Sequence, residues 1–167
     1  MEFTTGGGGT NTAVSFSRLG LDVAYCGCIG NDENGAKIIE ALKKENIDFI
    51  GSFSKKMSGY SIILDSIAHD RTILTYKGCN DEFRFSRVDK KRFDSKWIYL
   101  CAMVNRSFKE AEKVARFAQK KGIKIMFNPS SYLAEKGVEY LRKIIKATYI
   151  LVLNREEAKL LVGNHDI

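Results

Sequence analysis

The sequence predicts an α/β fold, with a mostly parallel central sheet covered by helices in a three-layer α/β/α arrangement and a small antiparallel β insert. Three observations predict it. Strand-like and helix-like segments alternate through most of the 167 residues. The strand-like runs, such as residues 97–102 and 123–127, are short and nearly continuously apolar, as strands buried on both faces are. The exception is residues 49–76, where three β-prone runs follow one another with only turn residues between them.

Four consecutive glycines, Gly6, Gly7, Gly8 and Gly9, open the readable pattern. Residues 13–19 place Val14, Arg18 and Leu19 at helical spacing and stop at Gly20. Residues 23–29 read as a strand. Gly30-Asn31-Asp32 is a turn into a helix over 33–45, whose Ala36, Ile39 and Leu42 share one face. The β-prone runs are 49–53, 60–67 and 72–76, with Ser58-Gly59 and residues 68–71 as their turns; this spacing predicts an antiparallel insert. Alternation then resumes. Residues 97–102 form a strand, and 107–121 a helix with Phe108, Ala111, Ala115 and Ala118 on one face, closed by Gly122. Residues 123–127 form a strand leading to Asn128-Pro129-Ser130. A helix over 138–146, a strand over 149–153 and a helix from Asn154 to Val162, capped by Gly163, complete the pattern.

Four glycines in a row do not serve packing, since each costs backbone entropy and offers no side chain. They suit a place where backbone N–H groups approach a ligand, with a helix N-terminus behind them. Asn11 adds an amide that both donates and accepts. Parallel sheets bind ligands beyond the carboxyl ends of their strands. Asn128 and Asn154 each follow a strand and start a helix, so they and the glycine run are expected along one edge of the sheet. Asn154 and Glu157 also have the spacing of a capping box, a local role compatible with a functional one. The spacing is not that of a dinucleotide-binding fingerprint, because the glycines do not follow a strand within a βαβ unit.

Composition excludes several classes. Apolar residues make up 44% and charged residues 28%, which is the balance of a folded globular chain. The net charge of +7 is dispersed in pairs such as Lys43-Lys44 and Lys120-Lys121, so it reads as solvated surface and not as a nucleic-acid footprint. No run approaches the roughly 20 apolar residues of a membrane span, and a cytoplasmic location is the expectation. Cys26, Cys28, Cys79 and Cys101 read as small buried thiols, with only His69 and His165 available to extend a metal site.

Beyond these readings the chain resembles the PfkB, or ribokinase-like, carbohydrate kinases. Four matches carry the resemblance: residues 6–14 with Arg18-Leu19-Gly20 and residues 27–35; Asp70-Arg71-Thr72 and residues 77–81; Asn128-Pro129-Ser130; and Asn154-Arg155-Glu156-Glu157-Ala158. They resemble, in order, the family's N-terminal signature, its lid, the segment near the transferred phosphate and its Asn-x-x-Glu motif.

The resemblance implies a ribokinase-like fold with residues 1–48 and 79–167 as the kinase core and 49–78 as a β lid. It implies ATP-dependent phosphorylation of a sugar or sugar-like hydroxyl. Gly6, Gly7, Gly8, Gly9, Asn11 and Arg71 would bind the acceptor; Asn128, Asn154 and Glu157 would bind ATP, with Glu157 holding Mg2+ through water. Partners would be a sugar or nucleoside, with no nucleic acid and no membrane, and the resemblance admits a homodimer through the lid. Ribokinases proper carry a lysine where this chain has Gly8, so ribose itself is not implied. The family's catalytic Gly-Ala-Gly-Asp motif, with its general-base aspartate, does not occur among these residues, and the family's first strand would precede Gly6. The expectation is therefore a core incomplete at both ends, a fragment without activity of its own. The alternative is an inactive sugar- or nucleoside-binding module.

Overall fold

The computed structural model describes residues 4–65 and 71–163. They group into two compact units: Ala13–Phe83 with the residues before Gly6, and Gly6–Thr12 with the chain from Arg84 onward. Helix α1 (Gly8–Arg18) contributes its first turns to the second unit and its remainder to the first.

In the first unit, strands β1 (Ala24–Tyr25) and β2 (Cys28–Gly30) are followed by helix α2 (Glu33–Lys44) and then by β3 (Asp48–Phe49) and β4 (Ser52–Ser54). β1 pairs with β3 and β2 with β4, both parallel, and the two ladders continue one register from Ala24↔Asp48 to Gly30↔Ser54. This is a βαβ unit, since parallel neighbours need a crossover of helix length. It corrects the expectation for residues 49–53. That run is the parallel partner of the first strand pair, and only β5 (Tyr60–Asp65) and β6 (Arg71–Tyr76) form the antiparallel hairpin. Ala13, Ile29, Leu42 and Ile47 make the core here, with Val14, Tyr25 and Phe49 packed against it. Arg18 reaches Glu45 at the end of α2 with Nε (2.9 Å) and with a second guanidinium nitrogen. The Ser17 hydroxyl donates to the Glu45 carbonyl at 2.6 Å.

In the second unit, β7 (Trp97–Leu100), β8 (Lys124–Phe127) and β9 (Ile150–Leu151) form a parallel sheet in that order. α3 (Asn105–Lys121) connects β7 to β8; α4 (Ser130–Ala134) and α5 (Gly137–Ile145) connect β8 to β9, and α6 (Arg155–Val162) follows. α3 presents Phe108, Ala111, Val114, Ala115 and Ala118, all buried, while Ile125 and Phe127 are fully enclosed. Ahead of β7, two short 3-10 turns, Phe85–Arg87 and Lys90–Arg92, place Phe85 and Phe93, whose rings meet Phe117 of α3 edge to face at 5.3 and 5.8 Å. The hydrophobic pattern does not reveal those turns, because they lack any period.

Two carboxylates tie these units internally. Glu110, 6% exposed, accepts from the Phe85 amide at 3.0 Å and from Lys113 at 2.7 Å. Burial alone would raise its carboxyl, but those hydrogen bonds prevail and hold it below its ordinary value of 4.5. For Asp32, likewise, burial is outweighed by hydrogen bonds from Ser58 and Gly35, which hold the carboxyl below 3.8. A carboxyl depressed in the folded state contributes stability above its unfolded value and loses it as pH falls through the folded one. Urea midpoints are therefore expected to agree between pH 7 and 5 and to fall below pH 4.5. Glu110→Gln should flatten that fall in the second unit; an unchanged acid limb would contradict the assignment.

Candidate functional site

The predicted site residues of the second unit gather at the carboxyl ends of its three parallel strands. α1 begins within the glycine run, at Gly8, earlier than the pattern 13–19 suggests. Gly7 has φ +94°, and the Asn11 amide closes the first turn onto the Gly7 carbonyl at 2.9 Å. A Cβ on Gly6 would meet nothing within 4 Å, and one on Gly8 would meet only the Cys101 sulfur at 4.0 Å. The glycine loop is thus bare backbone facing open space, with Cys101, just past β7, as its nearest side chain. Tyr99 of β7 and Thr12 of α1 share a side-chain hydrogen bond that fixes this turn against the sheet.

Asn128 follows β8 directly, with its amide on the Leu100 carbonyl at 3.0 Å. Its side-chain Nδ2 donates to the Val152 carbonyl at 2.9 Å and to Glu157 Oε2 at 3.4 Å. Asn154 caps α6: its Oδ1 accepts from the Glu157 amide at 2.7 Å, and Glu157 Oε2 accepts from the Asn154 amide at 3.1 Å. The capping box is complete. Both donors fall on one oxygen of Glu157, a residue only 7% exposed, so its carboxylate is aimed and largely desolvated. The structure therefore brings Asn128, Asn154 and Glu157 into one network.

Arg71 opens β6 opposite Asp65 in the first unit; its side chain lies outside the described residues, as do Asp70 and the turn 66–70. A shallow open groove in that unit, lined by Asp32, Ile39, Lys43 and Phe53 among others, contains none of the predicted site residues. Among the described residues, no group of three or more His, Cys, Asp or Glu could hold a metal ion. No described helix is long and apolar enough to cross a membrane.

Sequence reasoning missed Cys101 and Asn105 at this edge, and touched Ser130 only within the Asn128-Pro129-Ser130 match. The sequence suggests only a buried thiol at Cys101; it is half-buried beside the glycine loop, and burial pushes its thiol up to about 11. Asn105 (φ 51°) and Ser130 (φ 53°) take left-handed backbone at the starts of α3 and α4. A non-glycine residue there is worth scrutiny as a functional position. For Asn105 the sequence signal was that Asn tolerates this region better than most.

A network of amides and one carboxylate beyond the carboxyl ends of parallel strands, with a bare glycine turn at the end of β7 in the same sheet, suits a small polar ligand. Comparison with known proteins makes the relationship specific. The pfkB family carbohydrate kinase pattern matches residues 1–167. The chain belongs to the pfkB family of carbohydrate kinases. This pfkB chain is 30% identical over 169 residues to a ribokinase from Haemophilus influenzae, covering 97% of itself and 52% of that protein. It is 27% identical over 153 residues to an uncharacterized sugar kinase from Archaeoglobus fulgidus, covering 89% of itself and 60% of the relative. Among solved structures, adenosine kinase from Sinorhizobium meliloti superposes with a TM-score of 0.82 at 23% identity, over 94% of this chain and 51% of that one. The ribokinase-like α/β fold is thereby established, and the chain spans about half to three-fifths of the length of these relatives.

Proposed function

We propose that this chain carries the acceptor-binding loop and the phosphate-side network of an ATP-dependent kinase acting on a sugar or nucleoside hydroxyl. One observation carries the reading: Glu157, desolvated and fixed by both Asn154 and Asn128, stands at the same strand ends as the bare glycine turn. Gly6, Gly7, Gly8 and Gly9, with Asn11, hold the acceptor by backbone N–H groups and one amide. Asn128 and Asn154 orient the phosphates. Glu157 fits Mg2+ by its chemistry: Oε2 is occupied, leaving Oε1 for the hydration shell, and Mg2+ keeps several waters when one carboxylate and phosphates bind it. Bound there, Mg2+ neutralises charge on the transferring phosphoryl group. Arg71 and the β5–β6 hairpin act as lid. The hairpin exposes Ile62, Leu64 and Leu74 on one face, apolar surface that an acceptor or a second copy would cover. The protein works in the cytoplasm. Proton removal from the acceptor belongs to a Gly-Ala-Gly-Asp segment, which these 167 residues do not contain, so alone they do not turn over.

The test combines turnover with a footprint. The purified 167-residue chain, given MgATP with ribose, fructose or adenosine, is expected to release no ADP above background. An accepted ligand should nevertheless slow alkylation of Cys101 at least fivefold, while Cys26 alkylates at an unchanged rate. Acceptor-dependent ADP release by mass-verified chain would overturn the inactivity. Absence of Cys101 protection by any of the three at millimolar concentration would overturn the acceptor site.

A further inference from the structure

The residues between β2 and α2 were assigned no role by the chemistry above, yet they hold a closely hydrogen-bonded polar cluster of the first unit. Asp32 caps α2, its Oδ1 accepting from the Gly35 amide at 2.9 Å. A cap needs one oxygen. Here the second oxygen, Oδ2, accepts from the Ser58 amide at 2.9 Å, across 26 residues of sequence. The Ser58 hydroxyl donates to Oδ1 at 2.7 Å and accepts from the Gly30 amide at 3.0 Å. Ser58 is 1% exposed, so its amide and hydroxyl would lose their partners out of reach of solvent if the ring opened.

Ser58 lies just before β5, where the chain enters the hairpin. The returning limb is held at the same point. The Cys79 amide donates to the Met57 carbonyl at 2.9 Å, and the Cys79 sulfur lies 3.2 Å from the Cys28 carbonyl of β2. Just outside this ring, Glu82 accepts from Ser54 at 2.5 Å and pairs with Lys56 at 3.1 Å. The hairpin beyond the root is the contrast: among described side chains Tyr60, Ile62, Ile63, Leu64, Ile73, Leu74 and Tyr76 are all exposed. Two strands alone are marginal in water, so the direction in which this ribbon projects depends on its root.

We propose that Asp32 is a positioning residue: its carboxylate locks the root of the β5–β6 hairpin to β2 and α2, so that the hairpin's strands are held at a fixed angle to that frame. The role of that hairpin as lid rests on the functional reading above; the lock does not. Oδ2 serves the hairpin root alone, through the Ser58 amide, whereas Oδ1 holds the helix through the Gly35 amide and also accepts from the Ser58 hydroxyl, so mutations at Ser58 and at Asp32 separate the two.

Amide hydrogen exchange on the intact 167-residue chain tests it, comparing wild type with Ser58→Ala, Asp32→Ala and Asp32→Asn. Ser58→Ala is expected to speed exchange at residues 57–60 and 76–80 at least tenfold while Gly35 and Ala36 stay protected. Asp32→Ala should release both sets. Asp32→Asn, which keeps one acceptor oxygen, should restore protection at Gly35 but not at the Ser58 amide, whose acceptor becomes an NH2 group. In all three, β7 and β8 should exchange within twofold of wild type. Root exchange unchanged in Ser58→Ala and Asp32→Ala overturns the lock, as does a uniform rise over the whole chain. Repeating wild type with the acceptor bound reports on the lid separately: hairpin amides that no acceptor protects would refute the lid and leave the lock intact.

Discussion

Gly35→Ala is expected to unfold the first unit, although helix propensity predicts the opposite sign. Gly35 is the third residue of α2, and alanine in a helix is favoured over glycine by about 1 kcal/mol. In the structure a Cβ there would overlap the Gly30 carbonyl oxygen and lie 2.9 Å from the Ile29 side chain. The first obstacle is backbone, fixed by the parallel pairing of Gly30 with Ser54, so no flexible side chain can yield. Overpacking costs about 1–3 kcal/mol and occasionally more, and a clash with fixed backbone belongs at the upper end, a large part of a stability of about 5–15 kcal/mol. The helix cannot retreat either, because Asp32 holds the Gly35 amide. Gly122→Ala is the control. A Cβ at Gly122 meets nothing within 4 Å, and its φ of +69° costs a side chain about 1–2 kcal/mol. Urea denaturation of both variants should show Gly35→Ala either insoluble or far the less stable. A midpoint equal to that of Gly122→Ala would refute the close-packing argument.

The contrast shows what the residues disclose and what they conceal. The Asn154–Glu157 capping box was legible because its partners stand three residues apart and depend only on the local helix. The convergence of Asn128, Asn154 and the glycine turn was legible from strand–helix alternation, since parallel strands place their carboxyl ends together. Residues 49–53 were misread because adjacency to two more β-prone runs suggested antiparallel pairing. Their true partner lies across α2, and the choice is made by the crossover and not by local composition. The early start of α1 at Gly8 was hidden by propensity, which glycine fails; the Tyr99–Thr12 hydrogen bond and the Gly7 turn override it. The Asp32–Ser58 ring was invisible for a similar reason. Asp32 satisfies every local criterion for an N-cap, so nothing in its neighbourhood signals that its second oxygen is engaged 26 residues away.

Glu157→Ala and Glu157→Gln are expected to separate the two roles of that residue. Alanine removes the acceptor from the Asn154 amide and from Asn128 Nδ2, in a site where Glu157 is 7% exposed. A hydrogen bond contributes about 0.5–1.5 kcal/mol net, and the variant loses two of them, so Glu157→Ala should lower the melting temperature. Glutamine at the third helical position still completes a capping box, and its carbonyl oxygen can accept from both donors; its melting temperature should stay close to wild type. The two variants should nevertheless agree in their response to Mg2+ with nucleotide. A ligand at ten times its Kd stabilises by about 1.4 kcal/mol, or roughly 3–6 °C for a chain of this size. Wild type should show that upward shift with MgATP and a smaller one with ATP and a chelator. Glu157→Gln should show no difference between the two, because a neutral amide holds a hydrated divalent cation far less well than a carboxylate. If Glu157→Gln keeps the full metal-dependent shift, Glu157 is a helix cap alone and the metal-holding role fails. If it loses both the shift and the fold, the carboxylate's charge is structural, and the network with Asn128 is the part of the reading that survives.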